Sequence, residues 1–147
     1  MEHDFAVTTK NETETIELGI KIASSLKNGD VISFYGDLGS GKTRLVKGIC
    51  TGLGINNVVN SPTFIIVNEY ISPVIGNVYH FDLYRLRSED EILAMGFEDY
   101  MNNRGLILIE WPEHAERLLP SGNIKIHISH SVENENERWI KIRGLSL

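Results

Sequence analysis

The stretch Tyr35-Gly36-Asp37-Leu38-Gly39-Ser40-Gly41-Lys42-Thr43 narrows what this chain can fold into more than any other. Gly36, Gly41, Lys42 and Thr43 stand at the spacing G-x-x-x-x-G-K-[ST], the pattern of a loop that wraps phosphate between a strand and a helix. Chance produces that pattern somewhere in a chain of this length about once in two hundred sequences. The flanks meet the structural conditions as well. Val31–Tyr35 is a short apolar, β-rich run after Asn28-Gly29-Asp30 and predicts a buried strand. Leu45, Val46, Ile49, Cys50 and Leu53 recur at helical spacing, and Gly54 stands where a glycine ends a helix.

The residue types state the chemistry. Gly36, Gly39 and Gly41 let backbone N–H groups curl round an anion without Cβ clashes. A helix opening at Lys42 aims its free N–H groups and the positive end of its dipole at the same place. The Lys42 ammonium can reach β- and γ-phosphates, and the Thr43 hydroxyl is placed to ligate Mg²⁺. Asp37, Leu38, Ser40 and Arg44 complete the nucleotide-binding run 37–44. A solvated glycine-rich turn would explain neither the Gly-Lys-Thr tripeptide nor its position.

At 147 residues the chain is expected to be one domain, 1–147, large enough to bury about two-thirds of its unfolded surface. Net charge is −6 and Lys and Arg do not cluster, which argues against a direct, tight grip on nucleic acid. A single cysteine, Cys50, on the apolar side of the loop's helix excludes a disulfide framework and suits a reducing, cytoplasmic setting. No signal peptide and no apolar run of membrane-spanning length is present, so no membrane association is expected.

In chain order, Met1–Lys10 is expected to be a strand or an ordered extension. Asn11 with Glu14 predicts a capped helix whose stripe is Ile16, Ile20, Ala23 and Leu26, ended by Asn28-Gly29. Ile65–Ile71 and Val78–Tyr84 read as a hairpin. Ser88-Glu89-Asp90-Glu91 is a capping box for a helix using Ile92, Leu93 and Met95, with Gly96 near its end; Phe97–Met101 suggests another short helix. Leu106–Ile109 is continuously apolar, the mark of a strand buried on both faces, and it ends on Glu110. Pro112 suits the first turn of a helix carrying Ala115, Leu118 and Leu119. Ile124–Ile128 and Trp139–Ile142 alternate as strands around a solvated turn at Glu133–Glu137. The fold class is therefore α/β: a P-loop NTPase-like three-layer fold with a central mixed sheet of parallel and antiparallel strands.

A phosphate loop of this kind needs an acid at the end of a neighbouring strand, for Mg²⁺ or its waters. Asp82 and Glu110 both fit, one for the metal and one for orienting the attacking water; Glu110 is the better placed for the metal, because ligands bind at strand C-terminal ends in open α/β sheets. Spacing leaves open which of them orients the water. Asp82 could instead pair with Arg85. Thr63, after a stiffening proline, is either a switch residue sensing the γ-phosphate or a turn threonine. Glu12 reads first as a helix first-turn acid and second as a neighbour of the nucleotide. His80 is expected to be a packed or surface histidine rather than a catalyst, and Trp111 a core or surface aromatic rather than a pocket wall. Beyond Lys42, the cations near the motifs are Arg44, expected to point away from the phosphates, and Arg85.

Taken together these residues resemble the TsaE (YjeE) family of small bacterial P-loop ATPases. The resemblance rests on Gly36–Thr43, Ser61-Pro62-Thr63-Phe64, His80-Phe81-Asp82-Leu83-Tyr84-Arg85 and Ile109-Glu110-Trp111-Pro112-Glu113, with Gly96-Phe97-Glu98-Asp99-Tyr100 and Glu14-Thr15-Ile16-Glu17-Leu18-Gly19. It is colinear over nearly the whole chain. The departures are Ser40, where alanine is usual, and Arg44-Leu45, where the helix commonly continues Thr-Phe. The resemblance implies ATP and Mg²⁺ as ligands and a slow ATPase. It implies partner proteins TsaD and TsaB, which transfer a threonylcarbamoyl group to adenosine-37 of tRNA, so that tRNA is met only through the complex. It makes Thr43 and Glu110 the metal-associated pair, Lys42 the phosphate lysine and Asp82 a second catalytic acid. Two rivals stay open at this point: a small-molecule kinase, for which the chain is short of a lid and a basic acceptor pocket, and a binding module that uses ATP only as a clamp.

Overall fold

The computed structural model describes residues 4–56 and 66–145. The apolar run Leu106–Glu110 is the centre of the architecture: all five of its residues are buried, as a strand covered on both faces must be. In chain order the elements are β1 (Asp4–Thr9), α1 (Glu12–Ala23), β2 (Val31–Tyr35), α2 (Lys42–Gly52), β3 (Val67–Ser72) and β4 (Gly76–Asp82). There follow α3 (Glu89–Ala94), α4 (Phe97–Asn102), β5 (Leu106–Glu110), a 3₁₀ helix at Glu113–Leu118, β6 (Ile124–His130) and β7 (Arg138–Arg143).

The strands form one sheet in the order β1-β7-β6-β2-β5-β4-β3. β6, β2, β5 and β4 run parallel at its middle, while β1, β7 and β3 add antiparallel edges. The expected mixed sheet is present. One face packs Ile32, Phe34, Leu106, Leu108, Ile126 and Ile140 under α1 and α2. The other packs Tyr79, Phe81, Ile107 and Ile109 under α3, α4 and the 3₁₀ helix, with Phe97, Ile92 and Ala115 filling the interface. Helices on both faces of a sheet make the three layers.

Several local features follow the sequence closely. Asn11 caps α1 by accepting the Glu14 N–H at 2.9 Å, and the Glu14 carboxylate returns to the Lys10 N–H at 3.0 Å. Ser88 caps α3 in the same way. On α2, Leu45, Val46, Ile49, Cys50 and Leu53 are all buried, and Gly54 follows in the left-handed region at φ 74°.

Other features differ. The buried face of α1 is Thr15, Leu18, Gly19, Ile22 and Ala23, whereas Ile20 is 39% exposed. The reason is steric. A Cβ on Gly19 would meet Leu45 O at 2.6 Å and Gly48 Cα at 2.8 Å, so α1 and α2 touch backbone to backbone. That contact turns α1 about its axis relative to the apolar stripe. Gly96, at φ 88°, closes α3 as expected, directly after the C-cap Met95 and with its N–H on Leu93 O at 3.1 Å, but it also serves as the N-cap of α4. The segment after Pro112 is 3₁₀, opened by an Ala115 N–H to Pro112 carbonyl bond of 2.8 Å, and Pro120, which has no N–H to donate, follows its end. β4 stops at Asp82, two residues early, because the Asp82 carboxylate takes the Tyr84 N–H at 3.0 Å and turns the chain. Ile65, the expected start of β3, lies outside the described residues.

Candidate active site

β2 delivers the chain at Tyr35 to the loop 36–41, and the loop turns directly into α2. Ser40 N–H bonds to Asp37 O at 3.0 Å and closes the loop tip. Gly39 (φ 76°) and Gly41 (φ 108°) adopt left-handed backbone that side chains disfavour, so glycine is required at both. Gly41 is the N-cap of α2 and no side chain caps the helix. The first N–H groups of α2 therefore have no side-chain acceptor and face the hollow of the loop, ready for an anion.

Lys42 is buried, and its ammonium donates to the Gly36 carbonyl across the loop. It also sits 3.3 Å from the centre of the Trp111 ring. Burial lowers the Lys42 pKa from its ordinary value; the carboxylates of Glu110, Glu113, Asp82 and Asp37 pull in the opposite direction. Trp111 has φ 59°, the only non-glycine residue with positive φ among the described residues. A backbone of that kind costs about 1–3 kcal/mol and persists where surroundings enforce it; here it swings the indole off the end of β5 and over the loop lysine. Tyr84 packs against the indole at a tilt of 54°, with ring centres 4.9 Å apart.

The acids come from the strand ends. In the parallel pair β4–β5, His80 is opposite Leu108 and Asp82 opposite Glu110. The two-residue period of a strand puts all four on the face that carries α1 and α2. Glu110 is 2% exposed and has both oxygens engaged: Oε1 accepts the Thr43 hydroxyl at 2.9 Å, and Oε2 lies 2.6 Å from His80 Nε2. Asp82 is half-buried next to it and is itself engaged. Thr43 and Glu110 thus bring hard oxygen donors together at the helix N-terminus, which suits Mg²⁺, an ion that takes one or two protein oxygens and fills its octahedron with phosphate and water. No group of three His, Cys, Asp or Glu that could hold a metal by itself occurs among the described residues.

Glu12 and Arg44 come together, with 3.4 Å between Oε1 and Nε, at the exposed flank where α1 and α2 both begin. Asp37, Leu38 and Ser40 form the loop tip; the Ser40 hydroxyl is buried with no partner among the described residues. Thr63 lies outside the described residues. His80 is a packed histidine, but what it packs against is Glu110. Trp111 stands over the loop lysine. One residue went unnoticed in the sequence: Arg138, at the start of β7, donates to the Ser40 carbonyl at 2.7 Å and to the carbonyls of Glu135 and Glu137. Arg44 and Arg85 are therefore not the only arginines at the motifs. No local pattern marks Arg138, since it is 98 residues from Ser40 and only the sheet order brings β7 there.

The family model described as "Threonylcarbamoyl adenosine biosynthesis protein TsaE" matches residues 9–140. The chain belongs to the TsaE family. It is 41% identical over 129 residues to the tRNA threonylcarbamoyladenosine biosynthesis protein TsaE of Bacillus subtilis, covering 88% of this chain and 80% of that one. It is 36% identical over 132 residues to the TsaE of Haemophilus influenzae, covering 86% and 82%. Among solved structures, the crystal structure of B. subtilis YdiB superposes with a TM-score of 0.80 at 32% identity, over 99% of this chain and 88% of that chain. The TsaE match spans α1 through the first half of β7, so the loop, both acidic strand ends and Arg138 all lie inside it.

Proposed function

We propose that this chain is a Mg²⁺-dependent ATPase serving the synthesis of N6-threonylcarbamoyladenosine at adenosine-37 of tRNAs that read codons beginning with adenine. It acts in the cytoplasm with the proteins TsaD and TsaB, which hold the tRNA. The names of the curated relatives support the pathway. The observation that carries the ATPase reading is the meeting of Lys42, Thr43 and Glu110 at the uncapped N-terminus of α2.

In this reading the backbone N–H groups of residues 37–44 and the Lys42 ammonium bind the phosphates. Lys42 gives up the Gly36 carbonyl to do so, and Trp111 screens it from water. Glu12 and Arg44 border the nucleotide at the flank. Thr43 Oγ1 and Glu110 would hold Mg²⁺, which when bound offsets the charge on the phosphate oxygens. Glu110 is held at both oxygens and suits the metal; Asp82, opposite it, orients the attacking water. A cation over the γ-phosphate is worth about 10³–10⁵ in rate. Arg44 is tied to Glu12 and Arg138 to three carbonyls, and Arg85 is not free either. That supports slow hydrolysis by the chain alone and a rate raised by its partners. The lone thiol suits a reducing compartment; burial pushes Cys50 up to about 12, so it is inert near neutrality.

Reconstitution with TsaB, TsaD, tRNA and threonylcarbamoyl-adenylate tests the proposal. Modified adenosine should accumulate over repeated cycles only with this chain, ATP and Mg²⁺. Equal yield without the chain would reject it.

A further inference from the structure

His80 has no exposed surface; it lies within β4, opposite Leu108 of β5 and Asn68 of β3, on the same side of the strand as Val78. An imidazole in such a place needs a reason, because a leucine would fill similar space without polar atoms to satisfy. Its hydrogen bonding is concentrated on one partner. Nε2 is 2.6 Å from Glu110 Oε2, and Nδ1 has no partner among the described residues. The network assigns the N–H to Nε2, since the carboxylate oxygen can only accept; Nδ1 then carries a lone pair, which is cheaper to leave unpaired than an N–H.

We propose that His80 is a positioning residue: it fixes the Glu110 carboxylate for the divalent cation and so sets how strongly nucleotide binding depends on that cation. The inference rests on the nucleotide-site reading above. Its basis is the pair of bonds that hold Glu110. Thr43 donates to Oε1 at 2.9 Å, and its hydroxyl oxygen keeps lone pairs for a cation while the hydrogen stays on the carboxylate. His80 lies 2.6 Å from the other oxygen, Oε2. Thr43 alone would leave the carboxylate free to turn about its bond to Oε1; the second bond, from His80, fixes its plane. Histidine on β4 reaches this position because it lies two residues before Asp82 on the helix-facing side, next to the end of β5.

The test is calorimetric binding of ADP, with and without Mg²⁺, to wild type, His80→Leu and His80→Gln. The glutamine amide nitrogen reaches the place of Nε2, so His80→Gln keeps the donor; leucine removes it. Loss of such a supporting bond costs about 10–100-fold in metal affinity. His80→Leu should therefore lose about that factor of the Mg²⁺-induced gain in ADP affinity, with ADP binding in EDTA unchanged, and His80→Gln should stay within a few-fold of wild type. Manganese binding to the ADP complex, followed by electron paramagnetic resonance, should show the same order. An unchanged Mg²⁺ gain in His80→Leu would overturn the proposal, and so would equal losses with and without Mg²⁺, which mark a structural role. Should His80→Leu fail to fold, His80→Asn replaces it: its amide falls short of Glu110, so it must lose the Mg²⁺ gain that His80→Gln keeps, and equality of the two overturns the proposal. Wild type that binds no ADP would instead reject the nucleotide-site reading, and this inference with it.

Discussion

Thr43 and Glu110, 67 residues apart in the chain, meet at 2.9 Å, hydroxyl to carboxylate. The contact exists because β5 lies beside β2 in parallel register, Phe34 opposite Glu110, so the strand that feeds the loop and the strand that ends on the acid finish at one level. α2 then starts directly above both. A helix N-terminus for anions and a carboxylate for a cation are thereby assembled at one edge of the sheet.

Glu110→Ala and Asp82→Ala should fail differently. With Glu110 gone, the Mg²⁺ concentration for half-maximal hydrolysis should rise about tenfold or more. With Asp82 gone, that concentration should hold while the maximal rate falls about 10²-fold or more. Titrating Mg²⁺ against phosphate release for each variant reads both quantities; a Glu110→Ala curve superposing on wild type would remove Glu110 from the metal.

Lys42 predicts a pH dependence of nucleotide binding. The ammonium binds phosphate only when protonated, and burial lowers its pKa below the ordinary 10.5. Affinity for ADP should therefore be full at neutral pH and decline as pH rises through the lowered pKa, beginning earlier than an exposed lysine allows. Calorimetry between neutral pH and pH about 10 tests the sign; affinity that increases over that range would contradict it.

The loop itself was legible because its chemistry is contiguous: Gly36, Gly41, Lys42 and Thr43 need only their own spacing to be recognised, and the apolar runs 31–35 and 106–109 announce the strands that flank them. Glu110 could be placed because a buried strand that ends on an acid is a local pattern. His80 and Arg138 could not. What makes each of them matter is a neighbour supplied by sheet order, β5 for His80 and the loop after β2 for Arg138. The face of α1 was misread for a related reason. Periodicity weighs Ile16 and Ile20 as apolar, but the helix is turned by the absence of a side chain at Gly19, a close-approach signal that hydropathy does not carry.

That backbone contact makes Gly48→Ala costly. A Cβ there would press on the carbonyl of Ile16 and lie 3.0 Å from Gly19 Cα, and neither is a flexible side chain. Separating α1 from α2 should cost about 1–3 kcal/mol. Urea unfolding should show a lower midpoint at an unchanged slope; an unshifted midpoint would mean that the helices are not in contact.

Ser40 should be replaceable by alanine. Its hydroxyl is buried without a partner among the described residues, and an unsatisfied group of that kind costs about 1–3 kcal/mol. Ser40→Ala should therefore unfold at the same or a higher urea concentration and hydrolyse ATP like wild type. Clear destabilisation would show that the hydroxyl is bonded.

If the Lys42 loop is the seat of ATP hydrolysis, as proposed, phosphate release at fixed ATP and Mg²⁺ must depend on its lysine. It should be measured for wild type and Lys42→Ala, each alone and with saturating TsaB–TsaD, after confirming that both proteins melt alike. Wild type should release phosphate slowly alone and faster with the partners, while Lys42→Ala should fall by about 10²-fold or more in both settings. A folded Lys42→Ala protein hydrolysing ATP at the wild-type rate would contradict the account.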